Sequence, residues 1–162
     1  MLVYRLVKER YVPTALDGSG ARTFGGRWNS PGTAMIYASE SIALAALELL
    51  VHLGRGEVLD SYRLFTLTLP DRSILTLDDA ALPAAWRADP APGSTADIGD
   101  GWVASGRSVA LLLPSTIIPR ERNCLLNPAH PDFAQIAAGA AEEPFGLDPR
   151  LAAGAASARG VG

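Results

Sequence analysis

The sequence has few of the residues on which disulfide bonds and metal centres depend. It contains one cysteine, Cys124, and two histidines, His52 and His130, that are far apart along the chain. A single cysteine cannot form an intrachain disulfide, which is typical of proteins from a reducing compartment. No spacing of Cys and His matches a zinc site, so we expect no bound metal.

The sequence also lacks an excess of positive charge and a long hydrophobic run. Fourteen Lys and Arg residues face 17 Asp and Glu residues, for a formal net charge of −3. Nucleic-acid binders usually carry a basic excess, so we expect no direct nucleic-acid partner. The longest apolar stretch, residues 42–53, contains Glu48 and His52 and is too short to span a bilayer. The first eight residues alternate apolar and charged side chains, unlike a signal peptide. We therefore expect a soluble, cytoplasmic protein that does not bind membranes.

The composition is that of a globular protein, with 48% hydrophobic and 19% charged residues over 162 positions. This length fits one domain, which we place at residues 1–151. Residues 152–162 form an Ala/Gly-rich tail without periodicity, and we expect this tail to be mobile.

Hydrophobic periodicity predicts short strands and helices in mixed order. Ser39 or Ser41 is suited to cap the helix that runs from residue 42 to about Leu53 and stops at Gly54. Residues 13–33 are rich in Gly, Pro, Ser, Thr and Asn and predict a long loop. Without regular alternation of strand and helix, the fold class is α+β. The predicted strands are 2–7, 34–38, 62–69, 73–77, 108–113, 117–118 and 124–126, and the further predicted helices are 79–86, 94–105 and 131–138.

Glu48 is the only charged residue between positions 41 and 51. A helix that is apolar on every side is typically buried, so we expect this helix to be buried. An unpaired carboxylate there would cost several kcal/mol and must be paired, hydrogen-bonded or protonated. One interpretation is a structural ion pair with an arginine. The other is a carboxylate that lines a cleft and faces a ligand.

The segment Gly25-Gly26-Arg27-Trp28-Asn29 is the second candidate feature. Two glycines permit a tight turn or a close approach to a ligand, and a guanidinium is suited to phosphate or carboxylate. An ordinary turn with a solvated arginine and a core tryptophan explains the segment equally well. Tyr37, in the strand before the Glu48 helix, gains interest only in this combination.

Two other patterns do not predict a site. The run Gly18-Ser19-Gly20-Ala21-Arg22-Thr23 lacks the third glycine and the strand–turn–helix setting of a dinucleotide fingerprint. A nucleophilic pair of Cys124 and His130 is formally available. However, Cys124 lies in an apolar predicted strand, which favours a buried, inert thiol.

These segments, in their order and spacing, resemble the RES family, which is named for an arginine, a glutamate and a serine. The resemblance covers roughly Tyr4 to Leu151, and no motif is missing. It rests on Gly25-Gly26-Arg27-Trp28-Asn29, Tyr37, Ala43-Leu44-Ala45-Ala46-Leu47-Glu48 with His52, Ile98-Gly99-Asp100-Gly101-Trp102, Pro114-Ser115, the run 123–133 from Asn123 to Phe133, and the run 144–151.

The resemblance implies a fold similar to the ADP-ribosyltransferase toxins, with small mixed sheets and peripheral helices around an NAD cleft. It implies the toxin of a type II toxin–antitoxin system that cleaves the nicotinamide–ribose bond of NAD+. ADP-ribose then passes to a host protein, or NAD+ is degraded by hydrolysis or phosphorolysis. The implied partner is an antitoxin with a helix-turn-helix (Xre-like) domain, in an oligomeric complex.

By the same resemblance, Arg27, Tyr37 and Glu48 are the expected catalytic residues. Trp28, Asn29, Ser115 and Asn123 are expected to bind NAD+, which serves as substrate. Three alternatives stay open: a non-catalytic nucleotide-binding module, a ribonuclease toxin, and a structural partner protein whose apolar helix is an interface. The net charge and the two dispersed histidines disfavour the ribonuclease.

Overall fold

The computed structural model describes residues 1–52, 61–148 and 150–151. Seven strands in this part of the chain form one mixed sheet with the order β4-β5-β6-β2-β1-β3-β7. The pairings are antiparallel except for β4 with β5, which is parallel. The strands are β1 Leu2–Lys8, β2 Ile36–Ser39, β3 Tyr62–Thr68, β4 Ile74–Thr76, β5 Ala110–Pro114, β6 Arg122–Leu126 and β7 Ala141–Phe145.

Four α-helices of the described residues surround this sheet: α1 Ser19–Phe24, α2 Ile42–Val51, α3 Gly93–Ser105 and α4 Phe133–Ala138. Short 3-10 turns lie at Glu9–Thr14, Asp71–Ser73 and Asp79–Ala81. The α+β fold class is confirmed. Predictions about the end of the second helix at Gly54 and about the 152–162 tail fall outside the described residues.

The two larger hydrophobic cores of the described residues lie on opposite faces of the sheet, because side chains alternate along each strand. A third, smaller cluster, formed by Tyr62 and Leu147, packs against α2. Ile36 and Ala38 enter the core that α4 covers. Tyr37 and its strand neighbour Leu125 face the second core, into which α3 places Trp102. The second face therefore carries Tyr37 and Ser39, which are two residues apart on β2.

Helix α2 begins where the sequence predicts. The Oγ atom of Ser41 accepts a hydrogen bond from the backbone N–H of Leu44 at 3.1 Å and caps the helix. The prediction that this helix is buried on every side is wrong. It packs against β1 and β2 with Leu44 and Ala45 buried, whereas the exposed side chains include three large apolar ones, Ile42, Leu47 and Val51. The helix therefore carries more large apolar side chains than the described residues bury.

Three other predictions differ from the structure. Residues 13–33 are not one loop, because the Asp17 carboxylate accepts from the Ser19 N–H at 2.7 Å where the short helix α1 begins. Residues 117–118 are not a strand, because both N–H groups turn inward to the Oγ atom of Ser115. The helix predicted at 79–86 is only a 3-10 turn followed by irregular chain.

Candidate active site

Glu48 lies in the last turn of α2, half-buried above the sheet. Its Oε1 atom accepts a hydrogen bond from the Ser115 hydroxyl at 2.8 Å and another from the side-chain amide of Asn123. Among the described residues, Oε2 accepts no hydrogen bond and no Lys or Arg forms an ion pair with Glu48. No ion pair within the described residues therefore holds the Glu48 carboxylate in place. Two neutral donors fix one oxygen, and the other accepts nothing from the described part of the chain.

Ser115 follows β5 directly and is completely buried. Its Oγ atom accepts from the backbone N–H groups of Ile117 and Ile118, at 3.0 and 3.2 Å. Because two donors already point at this oxygen, its own proton is directed to Glu48. The turn after Pro114 thus orients a hydroxyl toward the carboxylate, and Ser115 touches Glu48 as part of one network.

Asn123 reaches Glu48 from β6, and its amide orientation is set by Ser39. The Ser39 hydroxyl donates to Oδ1 of Asn123 at 2.8 Å, which leaves the amide N–H₂ group to face the carboxylate. The two residues are direct neighbours in the register of β2 and β6. Ser39 is not among the residues predicted for the site. Its position two residues after Tyr37, on the same face of a strand, is the signal that points to it.

The hydroxyl of Tyr37 organises residues 25–29, the glycine-rich loop. It donates to Oδ1 of Asn29 at 2.7 Å and accepts from the backbone N–H of Trp28 at 3.1 Å. Burial raises the pKa of Tyr37 to about 12, so the hydroxyl keeps its proton and remains a donor. A Cβ atom at Gly26 would lie only 2.5 Å from the Tyr37 oxygen, which explains one of the two glycines by a close approach.

Asn29 and Trp28, both predicted to bind substrate, have buried side chains. The Nδ2 atom of Asn29 donates to the carbonyls of Ala21, Ser30 and Thr33, and its Oδ1 atom is held by Tyr37. The ring centroids of Trp28 and Trp86 are 6.4 Å apart. In this structure both side chains shape the loop.

Arg27 lies half-buried between the glycine-rich loop and residues 86–88. Its Nη1 atom donates to the carbonyls of Trp86 and Ala88, at 2.6 and 2.9 Å. Among the described residues, neither its Nε nor its Nη2 atom makes a hydrogen bond and no carboxylate pairs with it. One nitrogen therefore fixes the guanidinium, while its charge and two donor atoms are left for an anion.

Helix α3 lies directly over this loop, which accounts for the motif at residues 98–102. A Cβ atom at Gly99 would lie 1.8 Å from the carbonyl oxygen of Trp28, so only glycine permits the contact. The carboxylate of Asp100 accepts from the Ser30 N–H at 3.1 and 3.2 Å. Although burial raises the pKa of the Asp100 carboxyl, hydrogen bonds from Ser30 and Thr33 outweigh it and hold the pKa below its usual value.

Arg5, on β1, supports the site from below and is absent from the predicted residues. It donates through Nε to the Ala15 carbonyl at 2.8 Å and through Nη1 to the Tyr37 carbonyl at 2.7 Å. Burial lowers its pKa to about 10, and the nearby Asp17 partly offsets this shift, so the guanidinium stays charged at neutral pH. Arg5 thus positions the strand that carries Tyr37 and Ser39.

Strand β2 links the two halves of the site. Tyr37 holds the loop that carries Arg27, and Ser39 leads through Asn123 to Glu48. The Cα atoms of residues two apart on a strand are separated by about 7 Å. The structure therefore brings the three predicted catalytic residues, Arg27, Tyr37 and Glu48, to one face of the sheet.

Cys124 and His130 do not extend this site. The Cys124 side chain is completely buried on the opposite face of β6, and burial raises the pKa of its thiol to about 12. The Nδ1 atom of His130 accepts from the Asp132 N–H at 3.2 Å. The expectation that Cys124 is a buried, inert thiol agrees with this environment.

The described residues contain neither a cluster of metal ligands nor a helix suited to cross a membrane. No group of three or more His, Cys, Asp and Glu side chains is arranged there to hold a metal ion. None of the helices in that part of the chain has the length and apolar character needed to traverse a bilayer.

Comparisons with known proteins identify relatives of this chain. The sequence model of the RES domain matches residues 2–148. A protein named Toxin Res from Yersinia enterocolitica is 44% identical over 151 residues, which is 93% of this chain and 99% of that protein. A protein named Prs ADP-ribosylating toxin, from a Sphingobium species, is 40% identical over 87% of this chain and 89% of its own length.

A solved structure shows the same fold. It is the crystal structure of the M. tuberculosis MbcT–MbcA toxin–antitoxin complex, one chain of which is similar with a TM-score of 0.62 and 22% identity. The similarity covers 94% of this chain and 87% of that one. Together with the family match over nearly the whole length, these relatives show that the chain belongs to the RES domain family.

Proposed function

We propose that this protein is the toxin of a toxin–antitoxin pair and that it cleaves the bond between nicotinamide and ribose in NAD+. The carrying observation is the carboxylate of Glu48, whose Oε1 atom is fixed by Ser115 and Asn123 while Oε2 is unengaged among the described residues. The name Toxin Res of one relative supports the role as a toxin, and the name Prs ADP-ribosylating toxin of another supports chemistry on NAD+.

Glu48 acts on the sugar. Loss of nicotinamide leaves positive charge on the ribose, as in the oxocarbenium-like transition state of glycoside hydrolysis. Nicotinamide in NAD+ is already cationic and needs no protonation to leave. A single oriented carboxylate is then sufficient. Oε2 of Glu48 accepts a hydrogen bond from a ribose hydroxyl and stabilises the developing cation. Ser115 and Asn123 hold the carboxylate so that little reorganisation is needed during the reaction.

Arg27 and Tyr37 bind the two ends of the reacting half of NAD+. The Nε and Nη2 atoms of Arg27, which make no hydrogen bond to the described residues, form charge-assisted hydrogen bonds to the diphosphate. The Tyr37 hydroxyl is already used within the loop, so its ring is the part that is left to stack on nicotinamide. Trp28 and Asn29 contribute by holding that loop.

The acceptor of ADP-ribose is water, phosphate or a host protein. We propose a cytoplasmic antitoxin with a helix-turn-helix domain as partner. The related M. tuberculosis chain was crystallised in a complex described as toxin–antitoxin. In this chain, Ile42, Leu47 and Val51 expose apolar surface on the helix that carries Glu48, as expected of a surface that a partner covers.

The test follows nicotinamide release from NAD+ by the purified chain and by the Glu48→Gln variant. Turnover by the wild type and loss of about 10²–10³ in rate in the variant are expected. Full activity of Glu48→Gln would reject the assigned role. Calorimetric binding of NAD+ without nicotinamide release would instead support the non-catalytic nucleotide-binding module.

Labelled NAD+ in a cell extract separates the acceptors. A labelled protein band indicates transfer, whereas free ADP-ribose or its phosphate indicates degradation of NAD+. The same extract, supplied with the product of the adjacent reading frame, tests the antitoxin: that product is expected to suppress NAD+ consumption.

A further inference from the structure

We infer that Arg87 is a second diphosphate-binding residue, which closes over the substrate from the side opposite Arg27. This inference rests on the proposed function and extends it to a residue that no sequence pattern indicates. The supporting geometry is that of residues 86–88. The Arg27 guanidinium binds the backbone of this segment, and the Arg87 guanidinium connects the segment to Thr116.

On one side, Arg27 binds the backbone of this segment. Its Nη1 atom donates to the carbonyls of Trp86 and Ala88, the residues that flank Arg87. The backbone of Arg87 therefore lies beside the guanidinium proposed to bind the diphosphate.

On the other side, Arg87 reaches the turn next to Glu48. Its Nε and Nη2 atoms donate to the carbonyl of Thr116, at 3.3 and 3.0 Å. Thr116 follows Ser115, whose hydroxyl donates to Glu48. The side chain of Arg87 thus extends from the Arg27 side of the site toward the Glu48 side, and the segment joins the two halves.

The charge of Arg87 is what distinguishes a diphosphate-binding role from a purely structural link between segment 86–88 and Thr116. Among the described residues, no carboxylate pairs with Arg27 or Arg87, so two unneutralised guanidinium groups lie at one edge of the site. The diphosphate of NAD+ carries two negative charges and matches them. Arg87 is exposed. When it turns to a phosphate, it gives up one neutral carbonyl acceptor and its position over the Trp86 ring, whose centroid lies 6.0 Å from the guanidinium carbon. A charge-assisted bond to phosphate is stronger than the bond to that neutral carbonyl.

The experiment compares wild type with Arg87→Ala and Arg87→Gln. Glutamine retains an N–H₂ donor for the Thr116 carbonyl but carries no charge. Arg107→Ala is the matched control, because Arg107 is also an exposed arginine but precedes β5, whereas Ser115 follows that strand. For each protein we would measure kcat and KM with NAD+, and the calorimetric Kd of ADP-ribose.

Both Arg87 variants are expected to raise the KM for NAD+ and the Kd of ADP-ribose roughly ten- to hundredfold, with kcat within about threefold. Arg107→Ala should leave all three constants unchanged. An unchanged KM and Kd in both Arg87 variants would overturn the inference. Wild-type KM and Kd in Arg87→Gln, together with raised KM and Kd in Arg87→Ala, would also overturn it. That result would mean that residue 87 only needs to hydrogen-bond the Thr116 carbonyl.

The two proposals fail separately. If wild type consumes NAD+ and Arg87 has no effect on binding, only the inference about Arg87 is lost. If wild type releases no nicotinamide, the proposed reaction is lost, and the ADP-ribose titration still decides whether Arg87 contacts a diphosphate. A wild type that neither releases nicotinamide nor binds ADP-ribose would overturn both.

Discussion

The hydroxyl of Ser115 donates to Oε1 of Glu48 at 2.8 Å, and Asn123 donates to the same oxygen. Within residues 1–52, 61–148 and 150–151, the carboxylate is therefore held by neutral donors and by no cation. This relationship separates the effect of Glu48 on folding from its effect on activity.

Glu48→Gln and Glu48→Ala should differ in stability. Glutamine retains a carbonyl oxygen for Ser115 and Asn123, whereas alanine leaves both donors without this acceptor. We expect Glu48→Ala to lose about 1–3 kcal/mol of unfolding free energy and Glu48→Gln much less, because an unsatisfied buried donor costs that much. Urea unfolding measures the difference. Equal stability of the two variants would show that the hydrogen bonds to Oε1 matter little for folding.

Ser39→Ala should impair the reaction through Asn123. Without the Ser39 hydroxyl, the Asn123 amide loses the donor that holds its oxygen, so its N–H₂ group is held toward Glu48 less firmly. We expect kcat for NAD+ to fall about tenfold, which corresponds to about 1.4 kcal/mol, with KM nearly unchanged. Ser39→Thr, which retains the hydroxyl, should restore most of kcat. A loss in KM alone, or no recovery with threonine, would contradict this positioning role.

Local sequence was sufficient for elements whose pattern matches their environment. Strands β1 and β3 lie within a residue of their predicted bounds, and Ser41 caps α2 as expected. Strand β7 was missed because Glu142, Glu143 and Pro144 give it no strand-like pattern. It exists through pairing with β3 and the contact of Arg63 with Glu142 at 2.8 Å, which only the tertiary structure supplies.

The site divides in the same way. Glu48 stands out as a charge in an apolar helix, and Arg27 follows two glycines, so both can be found from sequence. Arg5 and Arg87 cannot, because each acts on a backbone carbonyl that is at least ten residues away in the chain. The exposed side of α2 also escaped prediction, since periodicity shows that a face is apolar but not what covers it.

Gly99→Ala should disrupt the contact between α3 and the glycine-rich loop. The new Cβ atom would lie 1.8 Å from the Trp28 carbonyl oxygen, so helix or loop must shift. We expect a loss of about 1–3 kcal/mol in unfolding free energy, together with lower NAD+ consumption because the loop carries Arg27. Gly101→Ala is the control on the same helix. Its Cβ meets nothing within 4 Å, and higher helix propensity should raise stability by up to about 1 kcal/mol. Equal destabilisation by both variants would reject the close contact.

Asp100 should make stability fall in acid. Although burial raises the pKa of its carboxyl, hydrogen bonds from Ser30 and Thr33 outweigh burial and hold this pKa below its usual value. A carboxyl whose folded-state pKa is lowered contributes stability above its unfolded-state pKa, and that contribution is lost as the pH falls through the folded-state pKa. Asp100→Asn has no such group, so its stability should decline less than that of wild type below a pH of about 4. Urea midpoints across an acid pH series measure this. Asp97→Asn, an exposed position on the same helix, should follow wild type. Parallel curves for wild type and Asp100→Asn would show that the carboxylate does not hold the loop in place.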